Sequence, residues 1–67
     1  MKITLNGKKC EDYDGPLSVR DLLEALNLSG QPVLVELDGM ALHGREFDGS
    51  MVEDGSTVEL IRVAAGG

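Results

Sequence analysis

The sequence predicts a two-layer α+β domain, a mixed sheet with one amphipathic helix packed on one face. Three observations carry this. Short alternating apolar segments stand at the start, the middle and the end of the chain. Two dipeptides suited to tight hairpins, Asn6-Gly7 and Asp38-Gly39, each precede a segment able to pair back. Only the stretch from Val19 to Leu26 has helical apolar spacing, and one such helix can cover only one face of a sheet.

In chain order, Met1, Ile3 and Leu5 fall on one face of an extended segment while Lys2, Thr4 and Asn6 fall on the other, the pattern of a half-buried strand. Asn6-Gly7 follows at once and suits a type I′ turn, whose two central residues need positive φ. The return segment, residues 8–13, is mostly polar, as an edge strand guarded by charges would be. Within it Cys10 reads as a small packing residue, since no His or second Cys lies nearby in sequence. Asp14-Gly15-Pro16 then breaks the strand.

Ser18 is the expected N-cap of the helix, with Asp21 three residues on as a weaker form of capping box and Leu17 and Leu22 at the two positions of a hydrophobic staple. Val19, Leu22, Leu23 and Leu26 share one face while Arg20, Asp21 and Glu24 point away. A helix shorter than about 12 residues is not stable alone in water, so packing on the sheet must hold it. Asn27 tolerates the left-handed conformation and closes it, and Pro32 forbids continuation.

Val33, Val35 and Leu37 form one side of the next strand, Asp38-Gly39 the turn, and Met40-Ala41-Leu42 the return. Residues 43–49 are the least periodic part of the chain and read as an irregular connection held down by Phe47, with His43 a solvated loop residue. Met51 and Val52 are a short apolar touch before the turn at Glu53-Asp54-Gly55. In the final strand, residues 57–63, Val58 and Leu60 lie on one face and Ile61 and Val63 on the other. Two partly apolar faces suit a central strand. If this strand lies beside the first and parallel to it, the crossover through the helix is right-handed. The arrangement is the β-grasp, or ubiquitin-like, architecture, which expects a β-grasp domain over residues 1–63 and a flexible Gly-Gly tail over 64–67.

Composition narrows the function. A chain of 67 residues makes one domain, and a domain this small buries only about 60% of its unfolded surface. The net charge of −6 disfavours nucleic acid and anionic membrane and favours a partner with a basic face. A lone cysteine permits no internal disulfide, thiolate zinc cluster or CxxC pair. With no signal-like or membrane-spanning run in view, the expected location is the cytoplasm. There is no G-x-x-x-x-G-K-[ST] loop, no metal-ligand cluster and no nucleophile with its base, and the nine glycines are scattered over turns. The chain therefore does not read as a catalyst and binds no cofactor of its own.

The remaining signal is the end, Val63-Ala64-Ala65-Gly66-Gly67. Glycines accumulate in frayed chain ends, yet Gly66 and Gly67 also put no Cβ in the way of a carboxylate threaded into another protein's narrow active site. Together with Met1-Lys2-Ile3-Thr4-Leu5-Asn6-Gly7, Ser18-Val19-Arg20-Asp21-Leu22-Leu23, Val35-Glu36-Leu37-Asp38-Gly39 and Glu53-Asp54-Gly55-Ser56, this end resembles the ThiS-type sulfur carriers of thiamine (thiazole) biosynthesis, within the ThiS/MoaD-like ubiquitin-like proteins. The resemblance covers the whole chain. It departs after the Asp-Gly turn, where a Pro-Arg pair and a Trp-type residue are common in the family and this chain has His43-Gly44-Arg45-Glu46-Phe47. That departure bears on the partner, not on the carrier chemistry.

The resemblance implies that Gly67 is adenylated by a ThiF-like adenylyltransferase using ATP. It also implies that a cysteine desulfurase or other persulfide donor supplies sulfur, and that thiazole synthase receives it from a Gly67 thiocarboxylate. Ala64, Ala65 and Gly66 would be the threading tail. Ile61 and Val63 are the expected docking surface, because one helix leaves the other sheet face open. The molybdopterin synthase small subunit and a ubiquitin-like modifier are alternatives with the same tail. A β-grasp interaction domain without tail chemistry is an alternative of another class.

Overall fold

The computed structural model describes residues 1–63. Its elements are β1 (Ile3–Leu5), β2 (Lys8–Cys10), β3 (Leu17–Ser18), α1 (Val19–Ala25), β4 (Val33–Leu37), β5 (Met40–Leu42), a single 3-10 turn (Gly44–Glu46), β6 (Met51–Val52) and β7 (Thr57–Arg62). Five strands form one sheet in the order β2-β1-β7-β4-β5, and β3 pairs with β6 as a separate two-stranded ribbon. β7 runs parallel to β1, with Thr4 opposite Thr57 and Leu5 opposite Val58, and antiparallel to β4 from Leu37–Val58 to Val33–Arg62. The last strand is therefore central and beside the first, as the two-faced pattern of its side chains requires.

Both hairpins turn where the Asx-Gly pairs stand. Asn6 and Gly7 have φ of 50° and 81°, Asp38 and Gly39 of 51° and 83°, the double positive φ of a type I′ turn. The two turn side chains do a second job on β7. The Asn6 Oδ1 accepts the Leu60 N–H at 2.7 Å, just where β1 has run out. The Asp38 Oδ1 accepts the Thr57 N–H at 2.8 Å. The central strand thus keeps its amide groups bonded past the ends of both neighbours.

α1 begins as its sequence dictates, with the Ser18 hydroxyl accepting the Asp21 N–H at 3.0 Å. The other first-turn amides are met from a distant segment: the Val19 N–H donates to the Ser50 carbonyl at 2.9 Å and the Arg20 N–H to the Phe47 carbonyl at 3.2 Å. At the far end Asn27 takes φ 59°. The Leu28 N–H reaches back to the Leu23 carbonyl at 2.8 Å and the Asn27 N–H to that of Glu24 at 3.0 Å, the pair of bonds of a Schellman closure. Val19, Leu22 and Leu23 are buried, and with Ile3, Val35, Val52 and Val58 they make the core between helix and sheet.

Three expectations are corrected. The return strand of the first hairpin ends at Cys10 and does not reach residue 13. Residues 43–49 are not wholly irregular: Gly44–Glu46 form a 3-10 turn, entered where the His43 N–H donates to the Glu46 carboxylate at 2.7 Å. Met51–Val52 are more than a touch on the core, since Leu17 pairs with Val52 and Ser18 with Met51, and Val52 is fully buried. For Met51–Val52, pairing with chain far away in sequence decides the conformation, and apolar periodicity carries no record of it.

Candidate functional site

β7 ends at Arg62, and two bonds hold the chain there. The Val63 N–H donates to the Pro32 carbonyl at 2.9 Å, and the Arg62 guanidinium Nη2 donates to the Gln31 Oε1 at 2.8 Å. Val63 is the last described residue, and its amide is bonded; Ala64, Ala65, Gly66 and Gly67 follow it in sequence. Those four, the expected tail and its reactive end, lie outside the described residues.

The sheet has one covered and one open face, as a single helix requires. Alternation along β7 puts Val58 and Leu60 toward α1, with Thr57, Glu59 and Ile61 on the open side. Ile61 and Val63, the two expected docking residues, are 50% and 45% exposed. Leu34 is 58% exposed and stands directly opposite Ile61 across the β4–β7 ladder. Sequence reading did not single out Leu34. The available signal was the run Val33-Leu34-Val35, which makes both faces of β4 apolar at one end. The open face therefore carries an apolar pair whose β7 member lies two residues before Val63.

Other chemistry-bearing residues are accounted for structurally. Cys10 is a free thiol, half-buried opposite Ile3 and packed against the core, as its sequence context indicates. His43 is exposed at the start of the 3-10 turn. The Arg20 guanidinium pairs with the Asp48 carboxylate on the surface, a contact of the kind that contributes about 0–1 kcal/mol. A groove floored by Leu23, Leu28, Pro32 and Phe47 lies between the helix end and the 3-10 turn, with Arg20 and Gln31 at its rim. It holds no nucleophile and base within reach of each other. Among the described residues no group of His, Cys, Asp and Glu is arranged to hold a metal ion. None of their helices is long and apolar enough to cross a membrane. What the described residues offer is a sheet face with an exposed apolar pair and a hydrogen-bonded end to its central strand.

Comparison with known proteins agrees with that picture. The model of the ThiS family matches residues 3–67. No curated protein matches the chain. The crystal structure of a thiamine biosynthesis protein (ThiS) from Geobacter metallireducens superposes with a TM-score of 0.85 at 39% identity, covering 100% of both chains. The solution structure of a thiamine biosynthesis protein from the same organism gives a TM-score of 0.82 at 38% identity, covering 100% of this chain and 88% of that one. The fold, the open sheet face and a family match that extends through the paired glycines converge: the chain belongs to the ThiS family, the β-grasp sulfur carriers of thiamine biosynthesis.

Proposed function

We propose that this chain is a cytoplasmic protein cosubstrate that carries sulfur on the carbonyl of Gly67 for thiazole formation. The observation that supports this best is the extent of the family match, which runs from residue 3 through Gly66 and Gly67. A carboxylate is a poor electrophile. Attack of its oxygen on the α-phosphate of ATP releases pyrophosphate and leaves an acyl adenylate, a mixed anhydride with a good leaving group. A persulfide sulfur then displaces AMP, and cleavage of the resulting S–S bond by a thiol leaves the thiocarboxylate. A ThiF-like adenylyltransferase performs the activation, a cysteine desulfurase or other persulfide protein supplies sulfur, and thiazole synthase accepts it. ATP belongs to the activating enzyme; this chain holds no cofactor.

In this reading the described residues present the tail. Ile61 and Val63, with Leu34 beside them, dock on the enzyme, and Ala64, Ala65 and Gly66 pass through a channel too narrow for larger side chains. Reach is then critical, because misplacing reacting atoms by about 1 Å costs on the order of a hundredfold in rate. One residue of extended chain changes reach by about 3.3–3.6 Å.

The test is intact mass after incubation with ATP, a ThiF-type adenylyltransferase and a persulfide donor. Wild type gains the mass difference of one sulfur for one oxygen. A chain lacking Gly67, or carrying one residue beyond it, keeps its fold by circular dichroism and gains nothing. Loading of the altered chains at the wild-type rate would overturn the dependence on reach, and failure of wild type to load would leave the interaction-domain reading.

A further inference from the structure

The open sheet face carries a second pairing that neither the core nor the tail chemistry uses. Beside the apolar pair Leu34–Ile61, Glu36 stands directly opposite Glu59 across β4 and β7. Both glutamates are exposed. Like charges directly opposite one another in an antiparallel pair are destabilising. Among the described residues neither glutamate has a cationic partner, the ion pair there being Arg20–Asp48. Thr57, the next open-face residue of β7, shows that a neutral, strand-favouring side chain fits this face. An avoidable repulsion therefore sits next to an exposed apolar pair on the strand that leads to the tail.

We propose that this four-residue face is a docking surface for a protein partner that seats an apolar side chain on Leu34–Ile61 and an arginine over Glu36–Glu59. The inference rests on the carrier reading, which makes the partner the activating adenylyltransferase. Charge complementarity selects the occupant. A planar guanidinium has five donors and can bond two carboxylates at once, and its charge cancels the repulsion that the free chain bears. A second copy of this chain is the wrong occupant, since face-to-face association brings four carboxylates together. Same-face pairs along a strand are about 7 Å apart, two rises of about 3.4 Å, so the partner's two groups must match that spacing. The apolar pair lies nearer Val63 and the acidic pair lies behind it. Engaging both fixes the direction in which the tail leaves, which an apolar contact alone does not.

The test measures binding of the full chain to a purified ThiF-type adenylyltransferase by titration calorimetry, with thermal unfolding of each free variant alongside. The double variant Glu36→Gln/Glu59→Gln is expected to bind about tenfold more weakly while unfolding at the same temperature as wild type or higher, because the repulsion is gone. Glu11→Gln/Glu24→Gln changes the net charge equally at exposed positions elsewhere and is expected to bind like wild type. Binding of the Glu36/Glu59 variant within about twofold of wild type, or an equal loss in the Glu11/Glu24 control, overturns the proposal. So does a lowered unfolding temperature of the Glu36/Glu59 variant in step with its affinity, which would assign the pair a structural role. A concentration-dependent dimer that Ile61→Lys dissolves would give the face to a second copy, which also overturns it. If wild type loads sulfur while the Glu36/Glu59 variant binds normally, the surface inference alone fails. If wild type neither binds nor loads, the carrier reading fails with it.

Discussion

Asn6 shows how much one residue can do in a chain this small. Its backbone holds φ 50° for the first hairpin, and its side chain accepts the Leu60 N–H that β1 no longer reaches. The two roles can be separated by substitution. Asn6→Gly keeps the backbone conformation and loses the bond, an expected cost of about 1 kcal/mol. Asn6→Ala loses the bond and adds left-handed strain, for about 2–3 kcal/mol in all. Urea unfolding of the two variants checks the order; equal losses would mean that the turn contributes nothing beyond its hydrogen bond. Tyr13 offers a residue-scale test of pH dependence. Burial pushes its hydroxyl above the ordinary 10.0, and the negative charges of Cys10 and Asp12 add to the effect. The folded state then favours the protonated phenol. Its contribution to stability is fully present below pH about 10 and is lost as pH rises through the raised value. Tyr13 is the only tyrosine, so ultraviolet absorbance follows its titration directly. A midpoint in the folded chain at or below that of the urea-unfolded chain would contradict this.

Among the elements, α1 is the clearest case of a local signal completed from outside. Ser18 caps it as its residue type predicts. The carbonyls of Phe47 and Ser50 take two further amides of the first turn, so the segment after β5 closes the helix start. The 3-10 turn and the β3–β6 ribbon hold that segment in place. Ser18→Ala is expected to cost about 1 kcal/mol, within the usual range for a lost cap of about 0.5–2 kcal/mol. Amide hydrogen exchange adds a sharper readout. The Asp21 amide, bonded to the Ser18 hydroxyl, loses protection in the variant, while those of Val19 and Arg20 keep theirs through their carbonyl partners. Loss of protection at all three amides alike would show that Ser18 governs the whole helix start.

At the scale of the molecule, a domain of 67 residues has a total stability of roughly 3–10 kcal/mol, so none of these losses is small. The fold concentrates its burial between α1 and one sheet face and leaves the other face available. Net charge of −6 acts at longer range. An acidic carrier approaching a basic docking face is steered by their fields, and salt screens that steering. Association with a ThiF-type adenylyltransferase, followed by stopped-flow fluorescence, is expected to slow by about tenfold between low and high salt. An association rate independent of salt would remove electrostatic steering from the account.

The sequence by itself determined those parts whose cause is local. The Asn6-Gly7 and Asp38-Gly39 turns follow from positive φ, the helix start from Ser18, its end from Asn27, and the central place of β7 from apolar residues on both its faces. The same reading marked Ile61 and Val63, because one helix cannot cover two faces, and the structure leaves both exposed. It also marked the paired glycines, which the family match spans. Tertiary structure alone decided which distant groups meet. Leu17–Ser18 pair with Met51–Val52, Phe47 and Ser50 complete the helix cap, Leu34 joins Ile61, and Glu36 comes to face Glu59. Each of these depends on the register between segments some twenty or more residues apart in the chain. A shift of one residue would turn every side chain to the opposite face, and only the packing of the whole core selects among the registers that the local patterns allow.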